Sequence, residues 1–398
     1  MEELVSPRER TLGTVILILG ILTWFILIFG TFGMALVGLA VGFILYLFAQ
    51  SALISHVKGN GVELSPGQFP DLHAQFSDCC QRLQIDVPPQ VYILNGNGAL
   101  NAFATKFLGT QYVVLMSDIV DAMAEHVDGV RFYIGHELGH LKRKHIHFGH
   151  LVRWPVLWLP LLGAAYSRSK ETTCDRHGRA CSSSGEDAAR ALAALASGSV
   201  RWKNLDVKAY LGQTRQSSGF WMSFHELIAG YPWLTKRAAR VFDTNAQLPR
   251  RNGLAYLLAI FVPFAGRLGA GFGVLVLVYI IGVLAAIAVP QYQVYTMKAK
   301  LAGIVVETQP ARLALSNYYA SNQKIPSSLQ ELALNPQLSS GGHMMLNPTN
   351  MVLTVSLQQG DLVFVPSPDE QGQVVWSCRN GHGIIPEHLP PNCQQMGK

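Results

Sequence analysis

Residues 135–140 read Gly-His-Glu-Leu-Gly-His. This is an H-E-x-x-H pattern, and the apolar spacing of Gly129–Lys144 predicts a helix around it. On a helix, His136 and His140 are four residues apart and project both imidazoles from one face, which suits two ligands of a single Zn²⁺. Glu137 lies beside them, able to take a proton from water activated by the metal. A catalytic zinc keeps three protein ligands and one open position, so a third donor must come from elsewhere. Residues 167–178 read SRSKETTCDRHG. There Glu171 and Asp175 share one helical face. Glu171 can ligate, and Asp175 can accept the other N–H of a ligating histidine. Cys174, Asp175 and His177 are rival ligands on chemical grounds alone.

Outward from the motif, the chain turns apolar. It has 398 residues, 49% of them hydrophobic and only 14% charged, against roughly 25% charge in a soluble domain. Disorder as the main state is excluded. No charged side chain occurs between Arg10 and His56. As one helix, residues 11–55 would be about 67 Å long, twice a bilayer core. A hairpin is expected instead: Leu12–Phe29, a turn at Gly30–Gly33, then Met34–Leu53. The first run is too long for a cleaved signal and reads as an anchor. Leu268–Val289 is long enough for one further span. Leu254–Gly266, with Pro263, is too short to cross and is expected at the interface or packed on protein. Trp154–Tyr166, with two Trp and two Pro, is expected to be interfacial or re-entrant.

Residues 90–94 and 111–115 read as strands, and Ser117–Glu125, Gly129–Lys144 and Asp187–Ser197 as helices. Lys142–Lys144 are expected to meet anionic headgroups, at about 1 kcal/mol each. His145, His147 and His150 are expected on a solvated basic face rather than at a second metal. The aromatic interleaving of a nucleic-acid platform is missing, so nucleic acid is not an expected partner. Residues 291–398 differ in kind, with strand-like runs at Met351–Leu357, Leu362–Val365 and Val374–Trp376.

The HELGH motif followed by ExxxD resembles the HtpX and CAAX prenyl protease 1 family of integral-membrane zinc metallopeptidases. Asn101–Ala104 (NAFA) is similar to that family's substrate-edge motif, and residues 231–237 (YPWLTKR) to its HPxLxxR motif. The resemblance covers about residues 12–250. It implies one Zn²⁺ per chain on His136, His140 and Glu171, Glu137 as general base, Asp175 behind a ligand, and Arg237 as a nearby cation. It also implies substrate binding along Asn101, Ala102 and Phe103. Tyr231 stands where the family has His, so either Tyr231 or His225 is left to stabilise the oxyanion. Only 30 residues separate His140 from Glu171, too few for the two spans HtpX carries there.

Ile280–Tyr295 (IIGVLAAIAVPQYQVY) is similar to the N-terminal helix of type IV pilins, a likeness that continues over about 269–398. It implies a disulfide between Cys378 and Cys393. Gly273 replaces the pilin Glu, and Leu268–Gly269 is not the pilin processing junction, so the helix is expected to stay as a tether.

The expected fold is an α+β membrane protein: a transmembrane hairpin (1–55), a mainly α zincin-like domain with a small sheet (56–250), an interfacial segment and transmembrane helix (251–290), and an α+β pilin-like domain (291–398). The net charge is +6, all of it before residue 268. The positive-inside rule therefore puts the zinc domain in the cytoplasm and the tail across a bacterial inner membrane, where an oxidising compartment permits the disulfide. The expected function is a zinc endopeptidase acting on membrane or misfolded proteins. The alternative is a pilin-like envelope sensor or assembly protein, docking an envelope partner, with a regulatory or vestigial zinc domain. A cation transporter lacks support, because no charged residue sits inside a candidate span.

Overall fold

The computed structural model describes residues 4–146, 148–266 and 269–394. His147, Arg267 and Leu268 lie outside the described residues, and with them the expected start of the third span. The chain divides into two units, Met1–Val278 and Tyr279–Lys398.

In the first unit, α1 (Pro7–Gly30) and α2 (Met34–Asn60) form the hairpin, joined by a turn in which Gly33 takes φ +83°. Both are long and apolar enough to cross a membrane. Nearly uniform hydrophobicity all round is what lipid on most sides demands. The lower end of α2 emerges from that environment and packs Ile54 and Val57 on a sheet.

That sheet holds β1 (Val62–Glu63), β2 (Gln90–Leu94), β3 (Ala102–Phe107) and β4 (Thr110–Met116) in the order β1-β2-β4-β3. The two expected strands are β2 and β4, paired in parallel. Their alternation serves two faces: Val91, Val113 and Leu115 enter the main core, while Tyr92, Leu94, Tyr112 and Val114 meet α2. Strand β3 pairs antiparallel with β4 and forms the sheet edge. The connecting turn, Leu108–Gly109, has positive φ at both residues (45° and 93°), the twist a two-residue hairpin prefers.

Helices α3 (Pro70–Arg82), α4 (Ser117–Ala122), α5 (Val127–Lys142), α6 (Trp154–Leu157), α7 (Leu162–Cys181), α8 (Gly185–Arg201), α9 (Val207–Gly212), α10 (Phe220–Ile228), α11 (Leu234–Phe242) and α12 (Gly253–Ala259) complete the unit. The motif helix therefore starts and ends two residues before its expected limits. Trp154–Tyr166 forms no continuous segment: α6 and the start of α7 pack Val156 and Tyr166 on Ile16 of α1, with Trp154 and Trp158 exposed. Residues 254–266 pack on protein, where Ala255, Ala259 and Val262 meet Phe224, Leu227 and Ile228.

Helix α13 (Gly269–Glu307), which belongs to the second unit from Tyr279 onward, continues through Pro290, well past the expected end at Val289. Its extension is amphipathic in use: Leu301 and Ile304 enter a core with Leu315 of α14 (Gln309–Asn322). That core covers an antiparallel sheet in the order β5-β6-β7-β8, formed by β5 (His343–Leu346), β6 (Leu353–Leu357), β7 (Gly360–Pro368) and β8 (Val374–Asn380). Cys378 on β8 is bonded to Cys393 on α15 (Pro391–Gln394).

Candidate active site

The site depends on how closely α5 and α7 approach. Three glycines permit it. A Cβ on Gly135 would stand 2.9 Å from the His177 carbonyl oxygen, one on Gly139 3.2 Å from Cys174 Cα, and one on Gly178 2.7 Å from the Phe132 carbonyl oxygen. Because these glycines add no side chain to the seam, the two helices can come close, and Glu171 on α7 faces the histidines on α5.

His136 Nε2 lies 3.4 Å from Glu171 Oε2, and His140 Nε2 lies 3.7 Å from Glu171 Oε1. Donor atoms of these three residues converge within 4.8 Å of one another. Donors bound tetrahedrally to zinc at roughly 2.0–2.1 Å stand about 3.3–3.4 Å apart, so the observed spacing fits that ion, as does the mixed imidazole and carboxylate donor set. Glu137 is buried on the same helix.

Behind the donors, His136 Nδ1 lies 3.0 Å from Asp175 Oδ1. Arg237 on α11 grips Asp175 with both arms of its guanidinium, Nε to Oδ2 at 2.9 Å and NH2 to Oδ1 at 2.7 Å. The same NH2 is 3.7 Å from Glu171. Burial pushes both carboxyls upward, but their cationic partners outweigh it. Glu171 is held at about 2 by the His136 hydrogen bond and the charges of His136 and Arg237. Asp175 is held well below the usual carboxylate range by Arg237, then His136. Burial lowers His136, yet Asp175 and Glu171 raise it to about 10.

His140 has its own support. Its Nδ1 is 3.1 Å from His145 Nδ1, and His145 Nε2 is 3.1 Å from Glu9 Oε1. An ionised Glu9 only accepts, so His145 carries its proton on Nε2 and offers a bare Nδ1. His140 must then donate from Nδ1, which leaves its Nε2 lone pair facing Glu171. Glu9 comes from the first turn of α1, and its carboxylate also meets Arg143 at 3.2 Å.

This corrects two expectations. His145 is buried rather than solvated, because a carboxylate from the anchor meets it. Lys142 donates to the carbonyls of Leu83 and Gln84 beyond the end of α3, so it is engaged by protein. Among the rival ligands, Cys174 Sγ lies 3.7 Å from His145 Nδ1 and forms a second donor group with His140 and His145. His177 turns its Nδ1 to the Thr173 carbonyl at 2.8 Å. Tyr231 is half exposed. His225 is exposed on α10, with its ring against Trp221 and Phe224. Asn101 precedes β3, its carbonyl accepting from Met116 N at 3.1 Å, and Ala102 and Phe103 begin that edge strand.

The family comparison agrees with this geometry. Residues 66–158 match the model described as Peptidase family M48, a stretch that includes the motif helix and ends before Glu171. The tail is similar to the type IV major pilin protein PilE1 of Neisseria gonorrhoeae, 24% identical over 146 residues, covering 30% of this chain and 88% of the pilin. The chain is thus similar to M48 peptidases over residues 66–158 and, elsewhere, to a pilin, and among the described residues three helices are long and apolar enough to span a bilayer.

Proposed function

We propose that this protein is a zinc endopeptidase that hydrolyses peptide bonds of membrane or misfolded proteins. The observation that carries the reading is the convergence of His136 Nε2 and His140 Nε2 on the Glu171 carboxylate. Zinc held by these three residues would supply Lewis acidity, polarising a peptide carbonyl and lowering the pKa of water. Glu137 takes the proton of the attacking water and returns it to the leaving amine. Asp175 fixes the His136 ring, and Arg237 fixes Asp175. Tyr231, half exposed, or His225, which stacks against Trp221 and Phe224, donates to the oxyanion. Substrate lies extended beside β3 at Asn101, Ala102 and Phe103, adding a strand to the edge.

The reading extends to a division into 1–55, 56–250, 251–290 and 291–398, with the zinc domain in the cytoplasm of a bacterial inner membrane and the pilin-like domain in the periplasm. Its support is the distribution of positive charge together with the Cys378–Cys393 bond in the tail. Glu137→Gln tests the chemistry: the variant retains zinc and loses cleavage of casein. Undiminished cleavage refutes the mechanism. The pilin likeness favours a second role for the tail as a docking module. Deleting 291–398 then abolishes partner binding and leaves casein cleavage intact, whereas lost cleavage marks the tail as part of the enzyme.

A further inference from the structure

Asp175, which meets His136, also lines a cavity of about 690 Å³, within the range of small-molecule sites. Seven arginines line it, and Asp175 is the one carboxylate among its lining residues. At least four of the seven are committed, Arg179 to the Ser182 carbonyl at 3.1 Å. Arg237 is taken by Asp175. Arg251 meets Glu226 at 2.8 Å, a carboxylate already shared with Lys236 at 2.7 Å. Arg168 spends one terminal nitrogen on three carbonyls, those of Glu226, Leu227 and Ala229. Arg8, at the start of α1, and Arg240, on α11, remain at the exposed margin of the same cavity.

So much like charge in one hollow is costly. Burial, with Arg251 next, holds Arg168 down at about 10 and also lowers Arg240. An anion brought among these groups relieves repulsion that the fold leaves in place, and guanidinium forks match phosphate oxygens bidentately.

The other wall is apolar. Leu12, Leu161 and Leu227 line it, with Tyr256 at its side. Leu12 belongs to α1, whose next turns expose Val15, Ile18 and Leu22, and Tyr256 belongs to α12, which exposes Leu254 and Leu257. The lining therefore mixes cationic with apolar side chains, and the helices that supply Leu12 and Tyr256 expose further apolar residues beyond it. An amphiphile with a phosphate fits it better than a phosphate alone.

We propose that this cavity binds a phosphate group, and that the group is the headgroup of an anionic phospholipid. The inference is independent of the zinc chemistry. It is tested on the full chain in neutral detergent by native mass spectrometry with dioleoylphosphatidylglycerol or dioleoylphosphatidylcholine. Phosphatidylglycerol is expected to remain bound at least tenfold more than phosphatidylcholine, and millimolar inorganic phosphate should not displace it. Arg8→Gln with Arg240→Gln should abolish the preference. Arg179→Gln, at another point of the lining, should weaken it and serves as the second variant if the pair fails to fold. Equal retention of both lipids overturns the proposal, as does an unchanged preference in the folded variants. Displacement by inorganic phosphate overturns the lipid assignment and identifies a soluble phosphate as the source. Displacement by polyglutamate alone identifies an acidic peptide instead and overturns both.

Discussion

Glu9 and His145, 136 positions apart in sequence, meet at 3.1 Å between carboxylate and imidazole in the interior of the first unit. One belongs to a membrane helix and the other follows the HExxH helix, so the anchor supplies part of the frame around His140. Replacing Glu9 with Gln keeps its shape and removes its charge. Outer partners of metal-binding histidines contribute about 10–100-fold to affinity. Glu9→Gln should therefore lose zinc to a chelator at least tenfold more readily, measured by metal content after dialysis. Wild-type retention would rule out this role.

The glycine seam gives a second prediction. In Gly178→Ala the new methyl meets the Phe132 carbonyl oxygen at 2.7 Å, where neither backbone can yield cheaply. Overpacking of this kind costs about 1–3 kcal/mol. The melting temperature should fall, and zinc content should fall with it because α7 carries Glu171. Gly219, where an added Cβ meets nothing within 4 Å, is the control: Gly219→Ala should leave both unchanged.

Arg237 holds a buried carboxylate in a two-armed grip, which a lysine ammonium cannot reproduce. Arg237→Leu strands Asp175 without its main counter-charge, a loss of about 3–5 kcal/mol. Arg237→Lys should recover only part of it, read as the midpoint of chemical denaturation. Full recovery by Lys would mean that charge alone matters there.

The pH profile of the metal-free protein follows from the same cluster. Glu171 and Asp175 are depressed from 4.5 and 3.8 respectively, so the folded state binds fewer protons than the unfolded one. Their stabilisation is complete above pH 4.5 and is lost as pH falls toward the Glu171 value of about 2. His136 is raised from 6.5 to about 10, so its contribution is full below 6.5 and fades as pH climbs toward 10. Thermal melts of chelated protein should peak between pH 4.5 and 6.5, and Asp175→Asn should flatten both limbs.

The HExxH helix, the hairpin and the strands β2 and β4 were legible because each rests on local pattern: imidazole spacing, uncharged length, β-branched runs. Strand β3 was legible only through the family resemblance, as an edge strand near Asn101, because AFATKF carries no strict alternation and is held by pairing with β4. The roles of Gly135, Gly139 and Gly178 escaped because only the approach of two helices makes them necessary. Glu9 was hidden for a similar reason. A carboxylate beside an uncharged run looks like the last polar residue before lipid, and nothing local says that His145 comes to meet it. The solvated reading of His145 and the headgroup reading of Lys142 failed together, since both judged a chain segment without its distant neighbours.

The start of α1 does more than hold the protein at a surface. Ser6 N donates to Thr173 at 3.0 Å, Glu9 reaches His145, and Gly20 lies so near the Val152 carbonyl that a methyl would stand 2.2 Å away. The first helix therefore forms one wall of the frame around the paired histidines, and the geometry of that frame is tied to how the helix packs.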